Sequence, residues 1–410
     1  MSSIDTQEVK AFPDELTDPA AWLEPFDWYR EMREENPVRY DESRRSWDVF
    51  RYDDVKAILD DDENFSVDPS NADYYDPSAR EGPELLQNTM LFQDSPRHDE
   101  LRSVVDDAFK PHNIRELEPR LNELADDLID RVLADSDGEM DVVSSLAYPY
   151  PVITIAEHLG IPSEERAQFK QWSNTLVETA RTDEEQSEIA ENQQRETQEM
   201  AQYFLRLIHQ RRENPQDDLL STIATTESDD GTRLSDEEAL GMCVLLLVAG
   251  NVTTTNLITN AVRCFGNHDV FDRLRGDDDA LMSAIDEVLR YRSPVQTMAR
   301  FATDDVTIHG ETIEEGDRVQ LWLGSANRDE RKFEDADGFK PDRTPNQHLG
   351  FGSGTHYCLG SSLARLEAKT VLSKLLDRLS DIELVETDLT PTRSTFVYGV
   401  ESLPVRFEQA

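Results

Sequence analysis

One stretch constrains this chain more than any other: Phe351-Gly352-Ser353-Gly354-Thr355-His356-Tyr357-Cys358-Leu359-Gly360. Gly352 and Gly354 permit backbone angles closed to residues with a side chain, so the loop can fold tightly beneath a flat ligand, and Gly360 leaves room for close approach. The segment that follows, Ser361-Ser362-Leu363-Ala364-Arg365-Leu366-Glu367-Ala368, reads as a helix of good formers. A cysteine delivered to the first turn of that helix meets unpaired amides and the positive end of the dipole, and both lower a thiol's pKa. The resulting thiolate is a metal ligand. The plain alternative is a buried, inert cysteine. It suits Cys243 and Cys264, which lie in apolar helical runs, better than Cys358 with its flanking glycines.

The size of the chain, 410 residues, allows one large core or two ordinary ones. Three cysteines in that length make no disulfide framework and point to a reducing, intracellular setting. Residues 1–13 are polar and acidic, with neither the basic nor the apolar region of a signal peptide. The longest apolar run, 242–250, has nine residues, whereas a membrane span needs about 20. A cytoplasmic protein outside the membrane is expected.

Charge narrows the class further. The chain has 86 acidic against 41 basic residues, a net −45, and only 8 of the 41 bases are lysine. The acids recur in short clusters such as Asp60-Asp61-Asp62-Glu63 and Asp277-Asp278-Asp279 rather than in one tail. That distribution suits a folded surface coated in carboxylates, not a disordered arm. Self-repulsion at −45 favours a salt-rich solvent, because at ~1 M salt the Debye length falls to ~3 Å. The composition therefore points to a salt-accumulating halophile. It argues against nucleic acid or an anionic membrane as partner, since such a surface repels both.

Periodicity along the chain predicts mostly helix. Residues 20–35, 163–212, a long helix opening at Ser235 and 281–291 read as helical. Ser235 and Glu238 make a capping box, and the apolar run in that long helix predicts a middle buried on all sides. Segments 68–83 and 225–234 read as loop and connector. Short strands are expected at 38–40 and 47–50, a small antiparallel sheet over 306–323, and a hairpin over 395–407 around Gly399 and Pro404. No linker splits the pattern, so residues 1–410 are expected to form a single domain, mainly α, with a large helical region and a smaller β-rich one.

The cysteine loop, followed by Leu363-Ala364-Arg365, closely resembles the haem-ligand loop of the cytochrome P450 family, and the resemblance extends from about residue 18 to 407. It implies haem b held by Cys358, with Phe351, Gly352 and Gly360 shaping the loop beneath it. Thiolate ligation pushes electron density onto haem iron and favours O–O cleavage. A second matching motif is Glu287-Val288-Leu289-Arg290, a pair three apart on one helix face. In the family it joins an arginine before the cysteine loop, which by position is Arg343. His98, Arg102, Arg300 and His356 match the family's propionate contacts.

The stretch Ala249-Gly250-Asn251-Val252-Thr253-Thr254 matches the family's oxygen-activating segment. There Gly250 would let O2 lie against the backbone and the Thr253 hydroxyl would relay protons. A small-residue packing seam is the alternative. Val252 departs from the pattern, which has an acid at that position, so proton delivery would fall to water, Thr253, Thr254 or Asn251. By family position the substrate pocket is lined by Tyr74, Tyr75, Leu86, Leu246, Ala249, Val295, Gln296, Thr297, Met298, Phe396 and Val397, an apolar set suited to a small hydrophobic or amphipathic molecule.

The resemblance implies a monooxygenase that takes O2 and draws electrons from a ferredoxin and its reductase, docked near Lys110, Arg331 and Lys332. It also implies a monomer. A peroxide-driven or isomerising haem-thiolate enzyme and a non-catalytic haem sensor are the other readings.

Overall fold

The computed structural model describes residues 10, 12–73, 86, 88–165, 168–169, 171–172, 183–227, 233–385, 388–392 and 394–410. Its helices include α1 (Pro19–Leu23), α2 (Phe26–Glu35), α3 (Tyr52–Leu59), α4 (Arg97–Asp106), α5 (Glu118–Asp135), α6 (Pro149–Leu159), α7 (Asp183–Glu213), α8 (Asp236–Asn267), α9 (Asp278–Tyr291) and α10 (Ser361–Arg378). The single helix expected over 20–35 is two. Pro25 has no N–H to continue α1, and it occupies the N-cap of α2 instead.

Helix α8 begins as its sequence dictates. The Ser235 Oγ accepts the Glu238 N–H at 3.1 Å, and the Glu238 carboxylate accepts the Ser235 N–H at 2.9 Å. Asp236, Glu237 and Glu238 place negative charge at the positive end of the dipole. Its apolar stretch is long enough to cross a membrane, but 72% of that stretch is buried inside the protein, where other helices cover it. The helix is buried from Ala239 to Leu247 and again from Thr254 to Phe265. Val248, Ala249, Gly250, Val252 and Thr253 are all more open, which corrects the expectation of a middle buried on every side. Helix α9 is capped by Asp277, whose carboxylate accepts the Ala280 N–H at 3.0 Å. It stops before Ser293-Pro294, because a residue preceding proline is excluded from the helical region.

The strands are β1 (Val38–Asp41), β2 (Ser46–Val49), β3 (Phe65–Ser66), β4 (Glu139–Asp141), β5 (Thr297–Ala302), β6 (Val306–Ile308), β7 (Glu311–Ile313), β8 (Arg318–Trp322), β9 (Leu379–Leu384) and β10 (Pro404–Gln409). One sheet has the order β1-β2-β8-β5-β3, with only β2 and β8 parallel. The expected small sheet over 306–323 is thus divided. β6 and β7 pair as a hairpin, while β8 joins the larger sheet. The expected 395–407 hairpin is also corrected: β10 lies between β4 and β9, and Val397 instead bridges Val295. β5 and β8 place Arg300 opposite Val319 and Thr297 opposite Trp322. Trp322 is fully buried, its indole N–H donating to Asp48 at 2.9 Å and its ring stacked on Phe50. This anchors the sheet that carries Arg300.

Candidate active site

The cysteine loop leads into α10 as a tight arch. The Cys358 N–H donates to the Phe351 carbonyl at 3.0 Å. Gly352 and Gly354 both have φ near +70°, at +74° and +70°, the left-handed region that L side chains avoid. A Cβ on Gly354 would also sit 2.6 Å from the Leu59 carbonyl, whereas one on Gly360 would meet nothing within 4 Å. Gly354 is therefore held by packing, and Gly360 keeps a space open beside the cysteine.

Cys358 precedes the N-cap of α10, Gly360, rather than lying in the helix's first turn. Its sulfur is exposed, yet it lies deep enough for burial to raise the thiol pKa. The Gly360 and Ser361 amides and the Arg102 and Arg365 guanidiniums pull the other way without overcoming burial. The expectation of a net lowered pKa is corrected for that reason: loss of hydration outweighs two amides and two partly exposed cations.

The basic side chains gather around this loop. The rings of His98 and His356 stack at 4.1 Å with planes 8° apart. His98 is 1% exposed and Arg300 4%, and His98 Nδ1 and Arg300 Nη2 have no hydrogen-bond partner. Burial lowers the Arg300 pKa to about 10, against the pull of Asp62 and Asp94. Burial, then the neighbouring His98, Arg300 and Arg102, pushes His356 to about 3. Leaving buried donors unpaired is costly, and two carboxylates reaching this spot would satisfy them. Arg102 serves the loop itself, donating to the Tyr357 carbonyl at 2.9 Å. An open cysteine sulfur, a glycine-opened space and orphaned donors fit a haem with its iron at Cys358 and its propionates at His98 and Arg300.

On α8 the residues part company. Thr253 Oγ1 donates to the Ala249 carbonyl at 2.8 Å, and both residues lie on the open stretch. Gly250 points elsewhere: a Cβ there would make ordinary contact with Ile155 of α6 at 3.7 Å, so its missing side chain faces α6. Asn251 is fully buried and accepts from Thr255 at 3.2 Å, so its side chain turns towards the core. Thr254, also buried, and Thr154 of α6 both set their hydroxyls against the carboxyl of Glu367 on α10. Burial pushes Glu367 up to about 8, with the two hydroxyls pulling it down. Reading the sequence alone missed Glu367. Its only signal there is an acid nine residues after Cys358 in an otherwise apolar helix face.

Glu287 and Arg290 are both fully buried and meet at 2.7 and 2.8 Å. Arg343 Nε reaches the same carboxylate at 3.0 Å, joined by the Lys340 N–H at 2.8 Å and Asn346 Nδ2 at 3.2 Å. Arg290 also donates to the carbonyls of Asn327, Ala336 and Gly338. The network ties α9 to the segment leading into the cysteine loop.

The expected substrate pocket is only partly assembled. Gln296 is fully buried, accepting from Tyr29 at 2.7 Å and donating to the Ser293 carbonyl at 2.7 Å. Thr297 donates to the Thr395 carbonyl at 3.0 Å. Both are structural cross-links rather than pocket walls, because their polar atoms are already spent on backbone and Tyr29. Leu86, Leu246, Val295 and Val397 are buried, Met298 is half-buried, and Phe396 is 49% exposed. Tyr74 and Tyr75 lie outside the described residues.

Comparison with known proteins agrees with this geometry. The family model for cytochrome P450 matches residues 24–400. Putative cytochrome P450 YjiB of Bacillus subtilis is 40% identical over 93% of this chain and 93% of its own. Cytochrome P450 119 of Sulfolobus acidocaldarius is 37% identical over 93% and 99%. The crystal structure of substrate-free CYP109E1 from Bacillus megaterium superposes with a TM-score of 0.88 at 40% identity, covering 95% of this chain and 100% of that one. The chain belongs to the cytochrome P450 family and is a haem-thiolate monooxygenase that uses haem b, O2 and a ferredoxin-type electron donor.

Proposed function

We propose that this chain, folded as one domain, oxygenates a small apolar or amphipathic molecule in a salt-rich cytoplasm and works as a monomer, with Cys358 as the iron ligand. The observation that carries the reading is the exposed Cys358 beside the buried, unpartnered nitrogens of His98 and Arg300. When bound, the haem supplies the redox chemistry that splits O2. The protein's own residues do the rest. His98 and Arg300 anchor the carboxylates, and Arg102 holds the loop by its Tyr357 carbonyl.

The Thr253 hydroxyl oxygen remains an acceptor while its proton is lent to the Ala249 carbonyl. With Val252 unable to carry a proton, Glu367 is the acid beside the Thr254 hydroxyl, and burial keeps it protonated at neutral pH. Thr253→Ala is expected to raise the peroxide released per electron consumed several-fold, measured against NAD(P)H oxidation with a surrogate ferredoxin. Unchanged coupling would place the relay elsewhere. Val252 also favours a second reading, a peroxide-driven enzyme. Product formation from peroxide alone that outpaces the ferredoxin route would establish it.

One relative, CYP109E1 from Bacillus megaterium, is solved in complex with corticosterone and in complex with testosterone, and Phe396 here is a large, exposed apolar side chain. A flat, hydrophobic substrate is consistent with both. The donor's contact is not a plain basic patch. Lys110 is paired with Asp107 at 2.9 Å, Arg331 with Glu330 at 2.9 Å, and Lys332 donates to Gln347 at 2.8 Å. The first test is spectroscopic. Protein reconstituted with hemin, reduced and exposed to CO, is expected to show the red-shifted Soret band of sulfur ligation, and an unshifted band would overturn the assignment.

A further inference from the structure

The cysteine loop has a second charged brace, separate from the Glu287 network. Arg365 lies in the second turn of α10, with its guanidinium carbon 4.6 Å from the centre of the Phe351 ring. Phe351 is the residue whose carbonyl holds the Cys358 N–H. Arg365 Nε donates to Asp286 Oδ1 at 2.9 Å. The same oxygen lies 3.5 Å from His348 Nε2. His348 Nδ1 accepts the Gly350 N–H at 3.1 Å, which leaves the proton of the neutral ring on Nε2, facing Asp286. One carboxylate on α9 therefore links the residues entering the cysteine loop to the helix leaving it.

We propose that Asp286 is a positioning residue that offsets the Arg365 charge and so sets how much electron density the Cys358 sulfur gives to the iron. This rests on the reading of Cys358 as the iron ligand. A cation beside the sulfur draws charge away from the metal, and an anion on that cation restores it. The pair is well placed to act at this range, since the side chains of Asp286 and Arg365 are only 34% and 27% exposed, and water screens them incompletely. Two cations touch the loop that carries Cys358: Arg365 through the Phe351 ring, and Arg102 through the Tyr357 carbonyl at 2.9 Å. Only Arg365 has a carboxylate within 3 Å; Arg102 lies 3.7 Å from Asp106.

The test is a double-mutant cycle on the haem-loaded protein, read by reduction potential and by the position of the reduced CO band. Asp286→Asn leaves Arg365 uncompensated and is expected to shift the potential positive, raising the reduced-to-oxidised ratio at fixed potential about threefold or more. Arg365→Met, which keeps an unbranched apolar chain on Phe351, is expected to shift it negative by a similar factor. The double variant is expected to return close to wild type. Arg365→Lys keeps the charge and should keep the wild-type potential.

A brace that merely held the loop would move both single variants in the same direction, and that result overturns the proposal. So does the absence of any shift in a wild type that shows sulfur ligation. Failure of the wild type itself to show the sulfur-ligated band would instead remove the reading of Cys358 on which the proposal rests.

Discussion

Replacing Glu287 with glutamine is expected to cost ~3–5 kcal/mol of stability, because it leaves two arginines facing each other around a lost counter-charge. Arg290 is fully buried and the Arg343 side chain is 7% exposed, so water cannot take over the role of the carboxylate. The loss compares with a total of about 5–15 kcal/mol for a typical native protein. The damage should also be directional. Glu287 holds the Lys340 N–H and Arg343, both in the segment that leads into the cysteine loop. Haem retention is therefore expected to fall before the helical signal does, which parallel denaturant titrations of Soret absorbance and far-UV dichroism would resolve. Arg30→Ala is the control, breaking half-exposed contacts with Asp27 and Asp337 at a cost of no more than about 1 kcal/mol. If the two substitutions cost the same, the network is an ordinary surface cluster and the argument fails.

What the sequence could disclose follows from how local each feature is. The glycine-flanked Cys358 and the Ser235 capping box are written within a few consecutive residues, and the structure has both the arch and the cap. Glu287 and Arg290 are three apart on one helix and meet there. The third member, Arg343, is 56 residues away, and only family position nominated it. Features that depend on distant partners were misplaced. β10 reads as half of a hairpin because nothing within 395–407 says that its partners are β4 and β9. Gln296 and Thr297 look like pocket residues until Tyr29, Ser293 and the Thr395 carbonyl consume their polar atoms. Gly250 reads as oxygen-facing because sequence does not fix helix rotation, and a side chain there would face Ile155 of α6. Glu367 was invisible for the same reason. An acid in a helix of mixed residues is usually solvated, and here α6 and α8 close over it.

That burial makes Glu367 the source of the second large effect, a pH dependence carried by one side chain. Its carboxyl titrates near 8 in the folded protein, against an ordinary value of 4.5. Below 4.5 the folded and unfolded chains both keep the proton, and the group is neutral to stability. As pH rises from 4.5 to 8 the unfolded chain releases the proton while the folded chain keeps it, so stability drains away and then levels off. At 1.36 kcal/mol per pH unit the full loss is about 5 kcal/mol.

Glu367→Gln keeps the shape and can still bond Thr154 and Thr254, but it has no proton to lose. The difference in unfolding free energy, variant minus wild type, is therefore expected to grow in the variant's favour by about 5 kcal/mol between pH 4.5 and 9. Comparing the two proteins at each pH cancels the many surface carboxylates they share. A flat difference would mean that Glu367 is ionised in the folded state at neutral pH. It would then hold no proton beside Thr254, and the hydroxyls of α8 would have to draw theirs from water.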